Sequence, residues 1–423
     1  MARAMKDSGV EWIGEMPEDW NTVRFKFLHN GMNTGEAIDK EYWTMEEKDA
    51  IFYTAGVEPI RTNYRDFPAW KHTAENDILL ARNGTPYVYI PKKGACYTDH
   101  IIRASMKEDI NRQFVQYALQ HSIASIVVDS VSLPTWSASL WNEQGLPWPS
   151  VLEQRRIADY LNRKCAEIDR IVAETERTIE EYKALKQSVI TEAVTKGVRG
   201  PRPMKPSGIE WIGDIPQEWK MGKTKYYTSK IGSGKTPKGG AEVYTHSGIL
   251  FLRSQNIYDE GLNLDNPTYI TSEVDNDMAN TRVQAEDVLL NITGGSIGRA
   301  CVMPEEALPA NVNQHVSIIR VKKDLVLPKL MHYFWISGLG KKAIALYQTG
   351  GNREGMSADA IANTPFMYYG LSEQEEIIGF LDCRTAEIDK LIARKQQLLA
   401  ELAAYKKSLI YEYVTGKKEV PAV

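Results

Sequence analysis

Two long segments of the chain carry apolar residues at helical spacing without a proline. They run from Glu153 to Gly197 and from Glu373 to Lys417, and both begin with Glu-Gln and carry Ala-Glu-Ile-Asp 13 residues further on. The apolar positions recur at alternating spacings of four and three residues, which is the pattern of a coiled-coil seam. The positions assigned to this seam are Leu161, Ile168, Val172, Ile179, Tyr182, Val189, Leu381, Ile388, Ile392, Leu399, Leu402 and Leu409.

The length of these predicted helices suggests how they are arranged. A helix of about 43 residues is roughly 64 Å long at 1.5 Å per residue, which exceeds the size of one small domain. The first helix leads into the second half of the chain and the second helix returns, so the pair is predicted to be antiparallel, with a domain at each end. The alternative is that each amphipathic helix packs separately on its own domain.

A shorter phrase is also repeated, and it precedes each domain. The chain reads SGVEWIGEMPEDW from Ser8 to Trp20 and SGIEWIGDIPQEW from Ser207 to Trp219, with eight of the 13 positions identical. The order of phrase, domain and long helix therefore occurs twice, which indicates a tandem duplication. Four tryptophans in the phrases are large apolar anchors, suited to docking on the helices, to docking on a partner or to internal packing: Trp12, Trp20, Trp211 and Trp219.

The regions between phrase and helix read as mixtures of short strands, turns and helices. NDILLARNG (76–84) matches EDVLLNITGG (286–295), and HIIRAS (100–105) matches HVSIIRV (315–321), as pairs of apolar strands. We therefore predict two α/β (α+β) domains in tandem, separated by two long antiparallel helices that form a coiled coil, with an internal pseudo-two-fold repeat. The predicted segments are 1–152 (first domain), 153–197 (first helix), 198–206 (linker), 207–372 (second domain), 373–416 (second helix) and 417–423 (tail).

Composition narrows the class of protein. The chain has 423 residues, 43% hydrophobic and 25% charged, and contains no apolar run of about 18 residues that would predict a membrane span. Its four cysteines and seven histidines show no metal-ligand spacing, so no metal site is predicted and the cysteines are expected to be reduced thiols of a cytoplasmic protein. The net charge of −4 excludes a globally basic nucleic-acid binder.

One local stretch is nevertheless strongly basic. From Lys220 to Arg253 there are seven lysines and arginines against the single acidic residue Glu242, interleaved with tyrosines and amides. Basic side chains suit phosphates, whereas arginine, glutamine and asparagine suit base edges. This stretch favours DNA binding by the second domain, and a smaller basic stretch around Arg82 to Arg103 favours it for the first.

Three motifs resemble catalytic sites, and none of them is complete. GSGKT (232–236) lacks the first glycine of a phosphate-binding loop, where Ser229 stands, and Pro237 follows where a helix should begin. NTPF (363–366) resembles an adenine-methyltransferase tetrapeptide, but no glycine-rich loop for a methyl donor is present. QEWK (217–220) resembles half of a nuclease centre, but the sister phrase ends in EDWN. We predict no catalytic residues and no cofactor in this chain.

Taken together, the repeated EWIGxxPxxW entries, the proline-rich lead into Glu-Gln, the Ala-Glu-Ile-Asp helices and the duplicated order resemble the DNA-specificity subunits of type I restriction–modification systems. The resemblance covers nearly the whole chain, and GSGKTPKGG followed by GILFLRSQNI is similar to the start of a target-recognition domain. The first domain departs from this pattern, because it reads NGMNTGEAIDKEYW at the corresponding place.

The resemblance implies a non-catalytic subunit that reads a two-part target in double-stranded DNA, one half per domain. It implies two methyltransferase subunits docked on the helices, which use S-adenosylmethionine, and restriction subunits that use ATP and Mg²⁺. The residues predicted to contact DNA are Arg82, Asn83, Lys92, Lys93, Lys235, Thr236, Lys238, Arg253, Gln255 and Asn256. The alternative function is a two-headed coiled-coil scaffold that holds protein partners and does not bind DNA.

Overall fold

A computed structural model describes residues 3–83, 87–123, 135–347 and 355–421. The chain divides into two compact units, one formed by Met1–Thr175 with Gln397–Val423 and the other by Glu176–Gln396. Each unit therefore contains one domain and parts of both long helices. Within the described residues, no helix is long and apolar enough to cross a membrane.

Among the described residues, the first unit combines twelve strands with two short helices, the first part of one long helix and the last part of the other. The strands are β1 (Met5–Asp7), β2 (Glu15–Pro17), β3 (Asn21–Arg24), β4 (His29–Thr34), β5 (Trp43–Thr44), β6 (Ala50–Tyr53), β7 (Ile60–Thr62), β8 (Asp77–Ala81), β9 (Val88–Tyr89), β10 (Cys96–Tyr97), β11 (Ile101–Met106) and β12 (Gly145–Trp148). The helices are α1 (Arg112–Ser122), α2 (Ala138–Asn142) and the long α3 (Val151–Lys196), which continues into the second unit.

The second unit repeats this plan. Its strands are β13 (Met204–Pro206), β14 (Asp214–Pro216), β15 (Lys220–Lys223), β16 (Thr228–Ser233), β17 (Ile249–Leu252), β18 (Ile257–Tyr258), β19 (Gly261–Leu262), β20 (Tyr269–Ile270), β21 (Val288–Asn291), β22 (Ala300–Val302), β23 (Ala310–Val312), β24 (Val316–Val321) and β25 (Pro365–Tyr368). Its helices are α4 (Ser272–Asp277), α5 (Pro328–Ile336), α6 (Gly338–Tyr347), α7 (Ala358–Asn363) and the long α8 (Leu371–Val414), which continues into the first unit.

The same sheet topology occurs in both units. The main sheet is antiparallel, with strand order β4-β11-β8-β9 in the first unit and β16-β24-β21-β22 in the second. The strands matched by sequence, β8 with β21 and β11 with β24, therefore occupy equivalent places, although Gly84 at the end of the first matched segment lies outside the described residues. A second sheet in each unit contains one parallel pair, β6 with β10 or β17 with β23. The predicted α+β class and internal repeat are confirmed.

Each domain begins and ends on two paired strands. β12 pairs with β3 in the first unit, and β25 pairs with β15 in the second, antiparallel in both cases. We call the residues enclosed by these pairs, 21–148 and 220–368, the first and second heads. Because its first and last strands are neighbours, each head is a self-contained insertion between an entry phrase and a long helix.

The apolar stretch 327–346 forms two helices, α5 and α6. Ser337 separates them with an extended backbone, and its hydroxyl accepts hydrogen bonds from the backbone N–H groups of Leu339 and Gly340. A serine that caps the next helix in this way ends one helix and starts another. α5 is buried nearly throughout, as expected for a helix that is apolar on all sides.

The two long helices pack together in both units. In the first unit, buried Leu161 and Ile168 of α3 share a core with Leu409 of α8. In the second unit, Ile190 of α3 shares a core with Leu381 of α8. All twelve residues assigned to the seam are buried or half-buried.

Two equivalent ion pairs join the long helices and show that they run antiparallel. Lys406 Nζ donates to both carboxylate oxygens of Asp169 in the first unit, at 2.6 and 2.8 Å, and Lys186 Nζ donates to both of Asp389 in the second, at 2.8 Å. The two aspartates end the two Ala-Glu-Ile-Asp motifs, so the motif serves pairing of the helices. The coiled coil predicted from the heptads is confirmed.

Both long helices begin two residues before their predicted starts. The hydroxyl of Ser150 accepts a hydrogen bond from the backbone N–H of Glu153 at the start of α3, and the Gly370 carbonyl accepts from Glu373 at the start of α8. Gly197 and Gly416 follow the helix ends with φ of 76° and 72°. This left-handed conformation is typical of a glycine that terminates a helix.

The entry phrases pack inside their own units. Trp20 of the first phrase is 1% exposed and lies in a core with Tyr413 and Val414 near the end of α8. Trp219 of the second phrase is fully buried, in a core with Val194 near the end of α3. Of the roles considered for the phrase tryptophans, docking on the long helices is the one that the packing of Trp20 and Trp219 supports.

Candidate nucleic-acid interface

Three loops meet at one end of the main sheet of the second head. They follow β16, precede β24 and follow β21, and the antiparallel register places these three strand ends together. Gly234 begins the first loop and donates its backbone N–H to the Val316 carbonyl at 2.9 Å. A Cβ atom at Gly234 would overlap the carbonyl oxygens of Val312 and Asn313. We call this end of the sheet the loop end.

A chain of side-chain hydrogen bonds connects the three loops. The Thr236 hydroxyl donates to Gln314 Oε1, and Gln314 Nε2 lies 3.0 Å from His315 Nε2. His315 Nδ1 in turn lies 2.6 Å from Thr293 Oγ1. With the proton of the neutral imidazole on Nδ1, His315 accepts from Gln314 and donates to Thr293. The network holds the exposed Gln314 side chain in place.

The segment after β17 reaches the same loop end. Asn313 donates its backbone N–H to the Leu252 carbonyl at 3.0 Å, and Asn291 Nδ2 donates to the Ser254 carbonyl at 2.8 Å. Arg253 is half-buried, with Nη2 donating to Thr268 Oγ1 at 2.7 Å. Its guanidinium also lies 5.6 Å from the ring centroid of Tyr244. Gln255, two residues further on, is exposed.

The structure therefore brings together most of the DNA contacts predicted for the second head. Lys235, Thr236 and Lys238 are exposed on the loop after β16. Lys235 donates its backbone N–H to the Val312 carbonyl, and the next residue, Asn313, donates to Leu252. The loop after β16 and the segment that begins at Arg253 therefore meet at the loop end, and both contribute basic and polar residues to it. This arrangement provides cations for phosphates and amides for base edges.

Asn256 has a structural role instead. It is 4% exposed, and its Oδ1 accepts from the backbone N–H of Arg253 at 2.9 Å while its Nδ2 donates to the Asn263 carbonyl at 2.9 Å. Both ends of the amide are thus used within the turn after β17. We leave Asn256 out of the proposed contact set for this reason.

The lysines between 220 and 230 point to other parts of the head. The Nζ atoms of Lys223 and Lys225 both donate to Asn363 Oδ1, at 3.3 and 3.0 Å. Lys230 donates to the Asn280 carbonyl at 2.7 Å, and burial lowers the pKa of its ammonium group. The basic stretch recognised in the sequence is therefore divided among several local partners.

The first head has an equivalent loop end with different side chains. Gly35 follows β4, and a Cβ atom there would overlap the carbonyl oxygens of Tyr97 and Thr98. Asn83 Nδ2 lies 2.6 Å from His100 Nδ1, as Thr293 lies against His315 in the second head. Arg82 is exposed beside this pair and donates its backbone N–H to the His100 carbonyl at 2.8 Å.

Lys92 and Lys93 do not lie at this loop end. They are exposed on the turn between β9 and β10. Because β9 runs antiparallel to β8, its last residue, Tyr89, pairs with Leu79, and the chain then continues away from Arg82. The Thr73 carbonyl, which precedes β8, accepts the backbone N–H of Gly94 in that turn at 2.7 Å. The predicted contacts of the first head are therefore split between opposite ends of its main sheet.

Sequence reasoning missed five residues at the loop ends. They precede β11 and β24 or follow β21, and they are Asp99, His100, Thr293, Gln314 and His315. A signal for them was present, because the matched strands HIIRAS and HVSIIRV both begin with the histidine. The hydrogen-bond partner of each histidine is set by the pairing of strands that are distant in sequence. No local sequence pattern encodes that pairing.

Residues of two incomplete catalytic motifs form hydrogen bonds or ion pairs with neighbouring residues of the protein. Asn363 of NTPF ends α7, where its Nδ2 donates to the carbonyl and side chain of Asp359. Glu218 of QEWK forms an ion pair with Arg202 at 3.0 Å. Among the described residues, no group of three or more His, Cys, Asp or Glu side chains is placed to hold a metal ion.

Comparison with known proteins gives a consistent set of relatives. No protein-family model matches the chain. The specificity subunit of the type I restriction enzyme MjaVIII from Methanocaldococcus jannaschii is 23% identical over 421 residues, 96% of this chain and 94% of the relative. The specificity subunit of the type I restriction enzyme EcoBI from Escherichia coli is 21% identical over 336 residues, 76% of this chain and 69% of the relative.

A solved structure shares the fold. It was determined in a study of complex assembly and conformational transition of the type I R-M system, and it superposes with a TM-score of 0.70 at 14% identity, covering 95% of this chain and 99% of that chain. The sequence similarity to specificity subunits spans both repeats, and the fold is shared with this solved structure. The resemblance predicted from the sequence is confirmed.

Proposed function

From the resemblance of this chain to type I restriction–modification specificity subunits, in sequence over nearly its whole length and in fold, we propose that it is the DNA-recognition subunit of such a complex. Each head reads one half of a bipartite, asymmetric target in double-stranded DNA. The chain itself is not catalytic, and methyl transfer and cleavage take place in partner subunits.

The observation that carries this proposal is the pair of loop ends. Both heads use the same backbone hydrogen bonds to bring three loops together, yet the exposed side chains differ, with Asp99 in one head where the other has Gln314. A shared backbone arrangement that carries different side chains at its loop ends suits two domains that recognise different sequences. Two different half-sites would make the complete target asymmetric.

The charges at the loop ends fit this function. Arg82 in the first head, and Lys235 and Lys238 in the second, are exposed cations at or beside the polar tips. Cations of this kind bind phosphates and fix the position of a protein on the duplex, whereas the neighbouring polar side chains reach base edges. The net charge of −4 for the whole chain means that the attraction is local to these surfaces.

The long helices supply surface for the proposed partners. Large apolar side chains point away from the seam, and those at least 38% exposed are Leu152, Ile171, Leu185, Phe380, Leu391 and Tyr405. Exposed apolar side chains on helices are suited to protein–protein contacts. Two methyltransferase subunits that use S-adenosylmethionine would dock there, and restriction subunits that use ATP and Mg²⁺ would join the complete complex.

Methylation mapping tests the proposal. The chain is co-expressed with the methyltransferase encoded beside it, and methylated adenines in host DNA are located by single-molecule sequencing. We expect a single motif of two short sequences separated by a gap of unspecified bases. The control is the methyltransferase expressed alone, which should leave no motif.

The contradictory result is equally clear. If a stable complex with the methyltransferase forms and no motif is methylated, the heads do not select DNA sequences in that complex. A two-headed scaffold for protein partners would then be the better description. Such a scaffold would also lack the steep loss of DNA affinity with rising salt that phosphate contacts produce.

A further inference from the structure

The turn before β11 and the turn before β24 are built in the same way. In the first head, Thr98 donates its backbone N–H to the Tyr53 carbonyl and its own carbonyl accepts from Ile101, both at 3.0 Å. In the second head, Asn313 donates to Leu252 at 3.0 Å and accepts from Val316 at 3.1 Å. Asp99 and Gln314 therefore occupy the same corner of the same four-residue turn.

These two residues combine exposure with a fixed orientation. Gln314 is exposed, and its Oε1 and Nε2 are each held by one neighbour, Thr236 and His315. An amide oxygen accepts two hydrogen bonds and an amide nitrogen donates two. One acceptor and one donor position of Gln314 thus stay open toward the outside, on a side chain whose direction is already set.

The same corner of the first head carries a carboxylate. Asp99 is half-exposed and accepts a hydrogen bond from the Thr98 hydroxyl at 2.8 Å on one oxygen, Oδ1. A carboxylate is repelled by phosphates and offers only acceptors. Glu36 of the same loop end is neutralised by an ion pair with Lys71, and Arg82 is exposed nearby. The Asp99 carboxylate is therefore suited to meet an amino group on a base edge.

We propose that Gln314 and Asp99 are base-reading residues at equivalent positions of the two heads, an inference that rests on the proposed function. Gln314 selects adenine, because its open donor and acceptor match the N7 acceptor and N6 donor in the major groove. Asp99 selects cytosine, because its carboxylate accepts from the N4 amino group. The neighbouring histidines are the same in both heads and position the loops without choosing the base.

The test uses the complex of the full chain with its methyltransferase subunits and a pool of random DNA duplexes. Bound duplexes are sequenced for the wild type and for Gln314→Ala, Gln314→Glu and Asp99→Gln. Gln284→Ala is the matched control, because Gln284 is an exposed glutamine of the second head before the opposite end of β21. Melting temperatures and complex formation are measured for every variant.

We expect each change at the loop ends to alter the preference at one base pair of one half-site. Gln314→Ala should reduce discrimination there by about fivefold to a hundredfold, the range that one good base contact provides. Gln314→Glu, which keeps the shape and removes the amide donors, should turn the preference away from adenine. Asp99→Gln should change one position of the other half-site, and Gln284→Ala should change none.

Two results would overturn the inference. One is an unchanged preference at every position in folded Gln314→Ala and Asp99→Gln complexes. The other is a uniform loss of affinity for all sequences, which is the behaviour of a phosphate contact. Failure of the proposed function looks different, because the wild-type complex itself would then enrich no motif.

Discussion

At the residue scale, the glycines that follow β4 and β16 show how closely the backbone approaches itself at the loop ends. Gly35 lies against the carbonyl oxygens of Tyr97 and Thr98, and Gly234 against those of Val312 and Asn313, so that neither has space for a methyl group. Neither glycine needs a left-handed conformation, since neither has a positive φ. Their role is to let one loop pass directly beside another.

Gly234→Ala is therefore expected to destabilise the second head. The new methyl group must push the loop away from Val312 and Asn313, and overpacking of this kind costs about 1–3 kcal/mol. Thermal unfolding measures the effect. Gly232→Ala is the control, because nothing lies within 4 Å of a Cβ atom at Gly232. Equal melting temperatures for the two variants would contradict the close approach.

The buried His332 makes stability depend on pH. Burial lowers the pKa of its imidazole to about 4, and its Nε2 lies 2.9 Å from the Ala300 carbonyl. The unfolded chain, with an ordinary histidine pKa near 6.5, binds a proton as the pH falls toward 4, whereas the folded chain does not. This histidine should therefore lower the free energy of unfolding as the pH falls below about 6.5.

Between pH 7 and pH 5 the contribution of His332 amounts to about 2 kcal/mol. His332→Gln should show a shallower decline of the unfolding free energy over this range, whatever its absolute stability. Denaturant titrations at several pH values provide the slopes. Identical slopes in the wild type and the variant would show that His332 titrates normally in the folded chain.

At the element scale, the long helices are the part of the structure that the sequence predicted most completely. Their seam depends on a short repeating pattern, so each heptad carries its own evidence, and burial at Leu161 and Leu381 follows from the period alone. α3 starts two residues before its predicted start because the cap at Ser150 lies outside the repeating pattern. The ion pair between Asp169 and Lys406 could not be predicted, because the sequence does not show which residues of the two helices face each other.

The seam predicts a clear difference between two identical substitutions in α3. Leu161 is fully buried, and Leu152 in the same helix is 71% exposed. Leu161→Ala should lower the free energy of unfolding by about 2–5 kcal/mol through lost contacts and the cavity it leaves. Leu152→Ala should change it little, and similar losses for both would argue against the seam.

The loop ends were much harder to predict than the helices. The lysines and arginines were visible as a basic stretch, but Lys223, Lys225 and Lys230 turned to local partners. Gln314 reaches this surface only through the pairing of distant strands, because its partner Thr236 lies 78 residues earlier in the chain. Positions set by long-range pairing of strands leave no local pattern. The sequence alone therefore predicted a basic and polar surface, but only some of the residues that form it.

At the scale of the whole molecule, the chain is a duplicated unit. Its two copies share the same arrangement of strands and helices and differ in the exposed side chains at their loop ends. Each head starts and ends on neighbouring strands, β3 with β12 and β15 with β25. An insertion with adjacent ends can be exchanged without rebuilding the helices on either side. Recognition is therefore expected to reside in the heads and to move with them.

The claim that recognition resides in the heads is tested most directly by replacing the first head with a copy of the second head. Residues 21–148 are exchanged for residues 220–368, so that the graft points fall on the paired strands. The chimera is co-expressed with the methyltransferase, and methylated adenines are mapped by single-molecule sequencing. If each head reads one half-site, the first half-site disappears and both parts of the motif carry the sequence of the second. Methylation of the original motif by the chimera would show that the heads do not determine the target.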